Sequence, residues 1–465
     1  MMKLVGIYFL CAVANCDAGV IIDESSAPPT ALRIGENRVS YSQRYDDWLE
    51  SIPETDRAWS IIKSVYDDMA VVQLGSVEAA ETYTDWLPDL ELLETHPEFV
   101  DRLHQITMFP SLGMPTTELG VDADDDPEET EILLGLLLPH VSVLRDSAIL
   151  LAMDAQEADE AERVLKDLRS IQWIIQHHSV ADTLIEGTVI VRLESMMSGL
   201  VLDNGLEIDG WDRRSLDELS SIYDKTLASE PATRFIQSER ALQENFLDWI
   251  YVDSNGMQLS NRGAKRLLSI AEQDEPRKMM IQIASESVHP RAEQEQNFEQ
   301  FTQAARADLS TPIYNTRSLL TTEAEESLAQ LSYQSKLSFL PVGLIVPAYG
   351  KFVSLAHEGR AYRDAARLKI ATYQHRDRHG AWPDSTAAID DDLLDRIPID
   401  PYTGDPLRLR IEEGRVVIYS VGPDRDDDQG REIRAHRFVL RDEYEGFDED
   451  QLERWDGDWV LTQDP

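Results

Sequence analysis

Apolar residues recur at intervals of three and four along most of the chain, which is the spacing of an amphipathic helix. The pattern extends over residues 41–350 and is strongest over 131–229, where it predicts successive antiparallel helices joined by short turns. Helices of this length are typical of a bundle or a solenoid-like array. Several large apolar residues in the first part of the pattern are predicted to lie in the core: Trp48, Trp59, Leu87, Leu92 and Phe99.

The pattern changes after a last long helix, predicted over residues 352–379 and stopped by Gly380. Apolar and polar residues then alternate over 406–411 and again over 415–420, which is the period of half-buried strands. Glu413-Gly414 between them indicates a hairpin turn. The sequence therefore predicts a mainly α protein that ends in a small α+β domain with an antiparallel sheet.

Changes in composition divide the chain further. Within the helical region, sub-boundaries are predicted near residues 110–130, where an acidic run is typical of a solvated linker, and near 251–263. The complete division comprises an export segment, a polar tether with prolines, the helical region and the α+β domain, at residues 1–18, 19–40, 41–350 and 351–465.

The first residues predict export. Lys3 precedes an apolar run and then small residues, as in a signal peptide, and the run is shorter than the ~20 residues that span a membrane. Ala12-Val13-Ala14 offers a site for ordinary signal cleavage, whereas the following Asn15-Cys16 completes a lipobox-like stretch that would place a lipid on Cys16. An uncleaved anchor is a third alternative. We expect a periplasmic, envelope-associated or extracellular protein that meets the membrane only through its signal or a lipid.

Charge and cysteine content narrow the choice of partners. Lys and Arg number 43 against 87 Asp and Glu, a formal net charge of -44. Such a surface repels phosphate backbones, so we expect no nucleic-acid partner. It suits cations, basic protein partners or solubility alone. Both cysteines, Cys11 and Cys16, lie in the export segment, which predicts no disulfide and no thiolate metal site in the folded domains.

Catalytic signatures are missing from the sequence. It contains no GxSxG, HExxH, Walker A or GxGxxG motif. His375 and His379 have the i, i+4 spacing of paired zinc ligands, but HRDRH lacks the glutamate of HExxH. Because basic residues suit a helix C-terminus, we interpret the pair as structural. Abundant carboxylates leave open an enzyme of unrecognised type, a hydrolase, in the helical region.

An aspartate-rich loop follows the predicted hairpin. Asp424, Asp426 and Asp428 alternate along residues 422–430, and backbone carbonyls lie beside them. Ca²⁺ binds six to eight oxygen ligands from such groups. The three aspartates are therefore a candidate calcium site, and the alternative is a solvated loop on an acidic protein.

Three motifs stand in order between residues 360 and 432: HGAWP at 379–383, DPYTGDPL at 400–407 and IYSVGPD at 418–424. Together they resemble the C-terminal domain of the type II secretion major pseudopilin. That family has a comparable DPWGNP turn, a similar strand exit and a calcium-holding loop. The resemblance implies a pseudopilin-like fold for residues 351–465 and a calcium-holding loop at the aspartates, but this loop lacks the paired glycines of the pseudopilin pattern.

The whole arrangement is similar to a group of uncharacterised secreted bacterial proteins. These place a helical region with a PHxSxLR-like start, here Pro139 to Arg145, ahead of the same tail. The resemblance implies an architecture and no particular activity. A pseudopilin begins with a cleaved leader and a long apolar helix that carries a glutamate, and neither is recognisable here. We therefore interpret the tail as a borrowed module.

These observations favour an exported, non-enzymatic interaction protein with a protein partner in the envelope or secretion machinery. One alternative is the hydrolase in the helical region. Another is a minor pilus-like subunit, which a prepilin peptidase would process.

Overall fold

The structure is a computed structural model. The predicted export segment, the tether, Cys16 and most of both predicted sub-boundaries lie outside the described residues. Every structural statement below concerns the described part of the chain, which comprises residues 47–77, 87–115, 139–178, 183–227, 235–240, 243, 247, 251, 290–330, 349–433 and 438–461.

Helices dominate the described residues, and none of them is both long enough and apolar enough to cross a membrane. In chain order they are α1 (Trp59–Leu74), α2 (Leu90–Thr95), α3 (Glu98–Leu103), α4 (Pro139–Glu157), α5 (Ala161–His177), α6 (Leu184–Leu200), α7 (Arg213–Leu227), α8 (Arg291–Ser310), α9 (Leu320–Ala329), α10 (Tyr349–His379), α11 (Arg441–Glu445) and α12 (Glu449–Trp455). The strands are β1 (Arg408–Glu412), β2 (Arg415–Ser420) and β3 (Trp459–Val460).

Local sequence signals account for several helix ends. At the start of α6 the Thr183 side chain accepts a hydrogen bond from the Glu186 N–H, and the Glu186 side chain accepts one from the Thr183 N–H. This capping box satisfies two amides that would otherwise lack partners. At the other end of the chain, α10 stops at Gly380, whose φ of 71° is left-handed and whose N–H donates to the Arg376 carbonyl.

The helices pack so that distant parts of the chain share one core. Helix α4 lies against α5 and α6, and α5 also contacts α7. The long helix α10 lies across α6 and α7, while α8 and α9 contact it as well. Leu193 of α6, Leu219 of α7 and Leu368 of α10 belong to the same buried cluster. The predicted mainly α architecture with a small antiparallel sheet near the C-terminus is confirmed.

The core prediction holds for most of the residues chosen. Trp59, Leu92 and Phe99 are buried, and Trp48 is partly buried and packs against the core. The prediction for Leu87 is wrong, because its side chain is 51% exposed. Helical spacing points a residue to the core only within a helix, and Leu87 precedes the residue that caps α2.

The sheet has the order β1-β2-β3 and is antiparallel throughout. The predicted hairpin is confirmed, with Glu412 opposite Arg415 and positive φ at both Glu413 and Gly414. Positive φ at both central residues defines the type I′ turn that matches strand twist. The end of the chain adds β3, which places Trp459 opposite Ser420. The third strand of the sheet therefore comes from residues far from the hairpin in sequence.

Candidate functional site

We call residues 398–461 the C-terminal lobe. Its DPYTG turn is organised by Asp400, whose side chain is fully buried. Asp400 Oδ1 accepts hydrogen bonds from the Tyr402 N–H at 2.8 Å and the Ser420 hydroxyl at 3.0 Å. Asp400 Oδ2 accepts one from the Val421 N–H at 2.9 Å. The carboxylate thus joins the turn to the end of β2, where the aspartate loop begins.

Asp424 joins this loop to the last residues of the lobe. Its Oδ1 accepts a hydrogen bond from the Asp426 N–H at 3.1 Å, and its Oδ2 accepts one from the Gly457 N–H at 3.0 Å. Burial raises the pKa of Asp424. The loop and the segment before β3 are therefore held against each other through a carboxylate.

Asp424, Asp428 and Asp456 converge, with candidate ligand oxygens within 4.8 Å of one another. Arg431 bridges two of them, since its Nη2 lies 2.6 Å from Asp428 Oδ2 and 3.1 Å from Asp456 Oδ2. Asp426 is exposed and lies outside this group. The structure thus brings together two of the three aspartates chosen from the sequence and adds Asp456. We call Asp424, Asp428 and Asp456 the acidic triad.

Asp458 is fully buried and contacts the aspartate loop. Its carboxylate accepts hydrogen bonds from the N–H groups of Asp428 and Gly430. Burial raises the pKa of Asp458 to about 6, and the neighbouring charges of Asp427 and Asp428 act in the same direction. Negative charge is therefore concentrated here, and a proton or a cation would relieve the repulsion.

Two histidine–carboxylate pairs lie inside the helical region. His104 Nε2 is 2.6 Å from Asp167 Oδ1, and both side chains are buried. Burial lowers the pKa of His104 to about 4 and raises that of Asp167 to about 9. Burial therefore disfavours the charged form of each partner, and the charge of Asp154 raises the pKa of Asp167 further.

The second pair is His140 with Glu186, and it belongs to the PHxSxLR-like segment. His140 is completely buried, and its Nε2 is 2.9 Å from Glu186 Oε1. The other oxygen of Glu186 takes part in the capping box of α6. This pair therefore fixes the start of α4 against the start of α6. Both histidine–carboxylate pairs are buried within the helical region.

Asp456 and Asp458 are the site residues that sequence reasoning missed. Both lie near the end of the chain, remote in sequence from the aspartate loop, and they reach it because β3 pairs with β2. Comparison of the chain with protein-family models, curated proteins and solved structures found no match.

Proposed function

We propose that this protein is an exported, non-enzymatic interaction protein of the cell envelope, whose pseudopilin-like C-terminal lobe binds Ca²⁺ at the acidic triad. The observation that carries the calcium proposal is the convergence of Asp424, Asp428 and Asp456. All three offer oxygen ligands, which Ca²⁺ prefers, and neighbouring carbonyls and water can complete six to eight ligands. Carboxylate oxygens without nitrogen or sulfur favour Ca²⁺ or Mg²⁺ over zinc.

Binding at the acidic triad would act on the loop as a whole. Asp424 and Asp428 belong to the loop, whereas Asp456 belongs to the segment before β3. An ion shared by them would add a cross-link where the hydrogen bond from Gly457 to Asp424 already joins these segments. Arg431 now supplies part of the compensating charge, and Ca²⁺ would compete with it for Asp428 and Asp456. The expected consequence is a stiffer, calcium-dependent surface for a partner.

Thermal unfolding with and without Ca²⁺ tests the site. At free Ca²⁺ about 100 times its dissociation constant, one site adds ~2.7 kcal/mol to the free energy of unfolding. We expect the doubly substituted Asp424→Asn, Asp456→Asn protein to lose this gain. The matched control is Asp426→Asn, which removes an exposed aspartate from the same loop and should retain it. An unchanged gain in the double variant, or no gain at millimolar Ca²⁺, refutes the site.

The export proposal rests on the sequence of residues 1–18 and is tested separately. We expect the protein recovered from the envelope or medium of expressing cells to begin after Ala14, or at a lipid-bearing Cys16. N-terminal sequencing with mass spectrometry distinguishes these outcomes from prepilin-peptidase processing. An intact Met1 on protein confined to the cytoplasm contradicts export.

The expected partner is a protein with a basic surface. The net charge of -44 favours such a partner and opposes anionic lipid or nucleic acid. Attraction between exposed charges is screened by salt, so the interaction should weaken as ionic strength rises.

A further inference from the structure

A second group of side chains lies at the end of α10, apart from the acidic triad. His375 and His379 stand one turn apart on the helix, and Asp390 faces them from the following loop. His379 Nε2 is 2.9 Å from Asp390 Oδ2, and His375 Nδ1 is 3.9 Å from Asp390 Oδ1. The two imidazole rings are 4.4 Å apart between centroids. Candidate ligand atoms of all three residues lie within 4.8 Å of one another.

Local contacts after α10 bring Asp390 close to the two histidines. Gly380 ends α10 in a left-handed conformation and turns the chain back. Trp382 then packs edge-on against Tyr373, at 5.1 Å between ring centroids, and lies under the Arg376 guanidinium at 4.3 Å. The returning chain places Asp390 beside the last helical turn.

Arg378 also binds the returning loop. It forms ion pairs with Asp392 at 2.8 Å and with Asp390 at 2.9 Å. The contact to Asp390 uses Oδ2, the oxygen that also faces His379. Oδ1 of Asp390 is the oxygen nearest His375. Arg378 therefore anchors the loop through Asp390 Oδ2, and this contact does not involve Asp390 Oδ1 or the nitrogens of His375.

His375 provides an independent indication of a ligand. Its side chain is only 13% exposed, and its Nδ1 is buried with no hydrogen-bond partner in the part of the chain that the structure describes. A buried polar atom without a partner is costly, and most such atoms are satisfied by protein, water or an ion. This nitrogen faces Asp390, where a bound ion would complete its coordination.

We infer that His375, His379 and Asp390 form a three-ligand site for Zn²⁺ or a similar divalent transition metal. Two imidazole nitrogens and one carboxylate oxygen are a ligand set that zinc takes and calcium does not favour. In a tetrahedral site with bonds of about 2.0 Å, ligand atoms lie roughly 3.3 Å apart. The two imidazoles now face different oxygens of Asp390, at 2.9 Å from His379 to Oδ2 and at 3.9 Å from His375 to Oδ1. Because one candidate ligand atom from each residue lies within 4.8 Å of the others, side-chain rotations of Asp390 and the histidines would bring a single oxygen and both nitrogens around one ion.

Partial exposure of His379 and Asp390 leaves the fourth position open to water. Such a site would pin the last turn of α10 to the loop that follows it. The histidine pair was interpreted as structural from its position in α10, whereas Asp390 lies outside that helix. The third ligand is supplied by a residue outside the HxxxH spacing.

The test is titration of the full chain with Zn²⁺ alone as the probe. Cys11 and Cys16 are first alkylated so that thiolates cannot bind zinc, and millimolar Ca²⁺ is present to occupy sites built only from carboxylates. Calorimetry should give one zinc per chain at neutral pH, and Co²⁺ in place of zinc should give the visible absorption of a tetrahedral complex. Loss of a group that only orients a metal ligand costs about 10–100-fold in metal affinity. Loss of a ligand itself, in His375→Ala or Asp390→Asn, should therefore weaken binding by at least about 100-fold.

The control variant is His96→Ala, which removes a partly exposed imidazole that is paired with Glu98 and is not among the candidate ligands. It should bind zinc as the parent protein does. Circular dichroism establishes that each variant is folded, and Asp390→Asn preserves side-chain shape if His375→Ala does not fold. The absence of stoichiometric zinc binding, or a zinc affinity in the His375→Ala and Asp390→Asn variants equal to that of the parent protein, overturns the proposal.

Discussion

Asp400→Ala is expected to lower the free energy of unfolding by about 4 kcal/mol. The carboxylate is fully buried and accepts hydrogen bonds from the N–H groups of Tyr402 and Val421 and from the Ser420 hydroxyl. Its removal leaves these buried donors without an acceptor, and each one costs about 1–3 kcal/mol. The hydrogen bonds that are lost connect the DPYTG turn to the end of β2, so we expect the aspartate loop, which follows β2, to become more mobile.

Urea-induced unfolding measures this loss. Asp405→Ala is the matched control, because Asp405 lies in the same turn with an exposed side chain and its backbone carbonyl remains available to the Asp400 N–H. We expect the control to change stability by no more than about 0.5 kcal/mol. If Asp400→Ala were as mild as this control, Asp400 would not organise the lobe.

Glu194→Ala is expected to destabilise the protein by about 3–4 kcal/mol. Glu194 on α6 pairs with Arg363 on α10, with Oε2 and Nη1 3.4 Å apart and both side chains 3% exposed. Removing one partner of a buried ion pair leaves the other charge in a poorly solvating interior. The effect should be large because this pair lies where the long helix of the C-terminal part packs against the helical region.

A double substitution distinguishes the cost of leaving one buried charge from the net contribution of the ion pair to stability. Replacing both groups by apolar side chains of similar size, Glu194→Leu with Arg363→Met, removes both buried charges and should recover most of the stability lost in Glu194→Ala. Both proteins are compared by urea unfolding. Equal stability of Glu194→Ala and the parent, or a double variant less stable than the single one, contradicts a buried compensating pair.

Local patterns predicted the parts of the fold that local physics decides. Helices α4 to α7 follow from apolar spacing, and the hairpin follows from alternating strands around Glu413-Gly414.

Lys369 shows the limit of such patterns. It is fully buried, and its Nζ donates to the carbonyls of Leu202 at 2.6 Å and Asp203 at 2.8 Å. These carbonyls belong to the segment Val201–Gly205 after α6, where the backbone leaves helical geometry at Asp203, and α10 contacts this segment. A lysine is ordinarily placed on the surface by its charge, and its partners lie too far away in sequence to be foreseen.

The sequence predicted where the candidate calcium site lies, but it did not predict all of the residues that form it. Asp424, Asp426 and Asp428 were predicted to share a site because they alternate along the aspartate loop. The loop instead contains left-handed residues at Arg425 and Gln429, so alternation does not determine direction there. Asp426 consequently lies outside the acidic triad, and Asp456 enters it through the pairing of β3.

Calorimetric titration of the whole protein with Ca²⁺ tests the calcium proposal most directly. We expect one ion per chain, binding abolished in Asp456→Asn, and binding retained in Asp426→Asn. This pair of variants separates the acidic triad from the general negative charge of the loop, because each removes a single carboxylate. Binding that survives Asp456→Asn unchanged, or no binding at millimolar Ca²⁺, would contradict a calcium site at Asp424, Asp428 and Asp456.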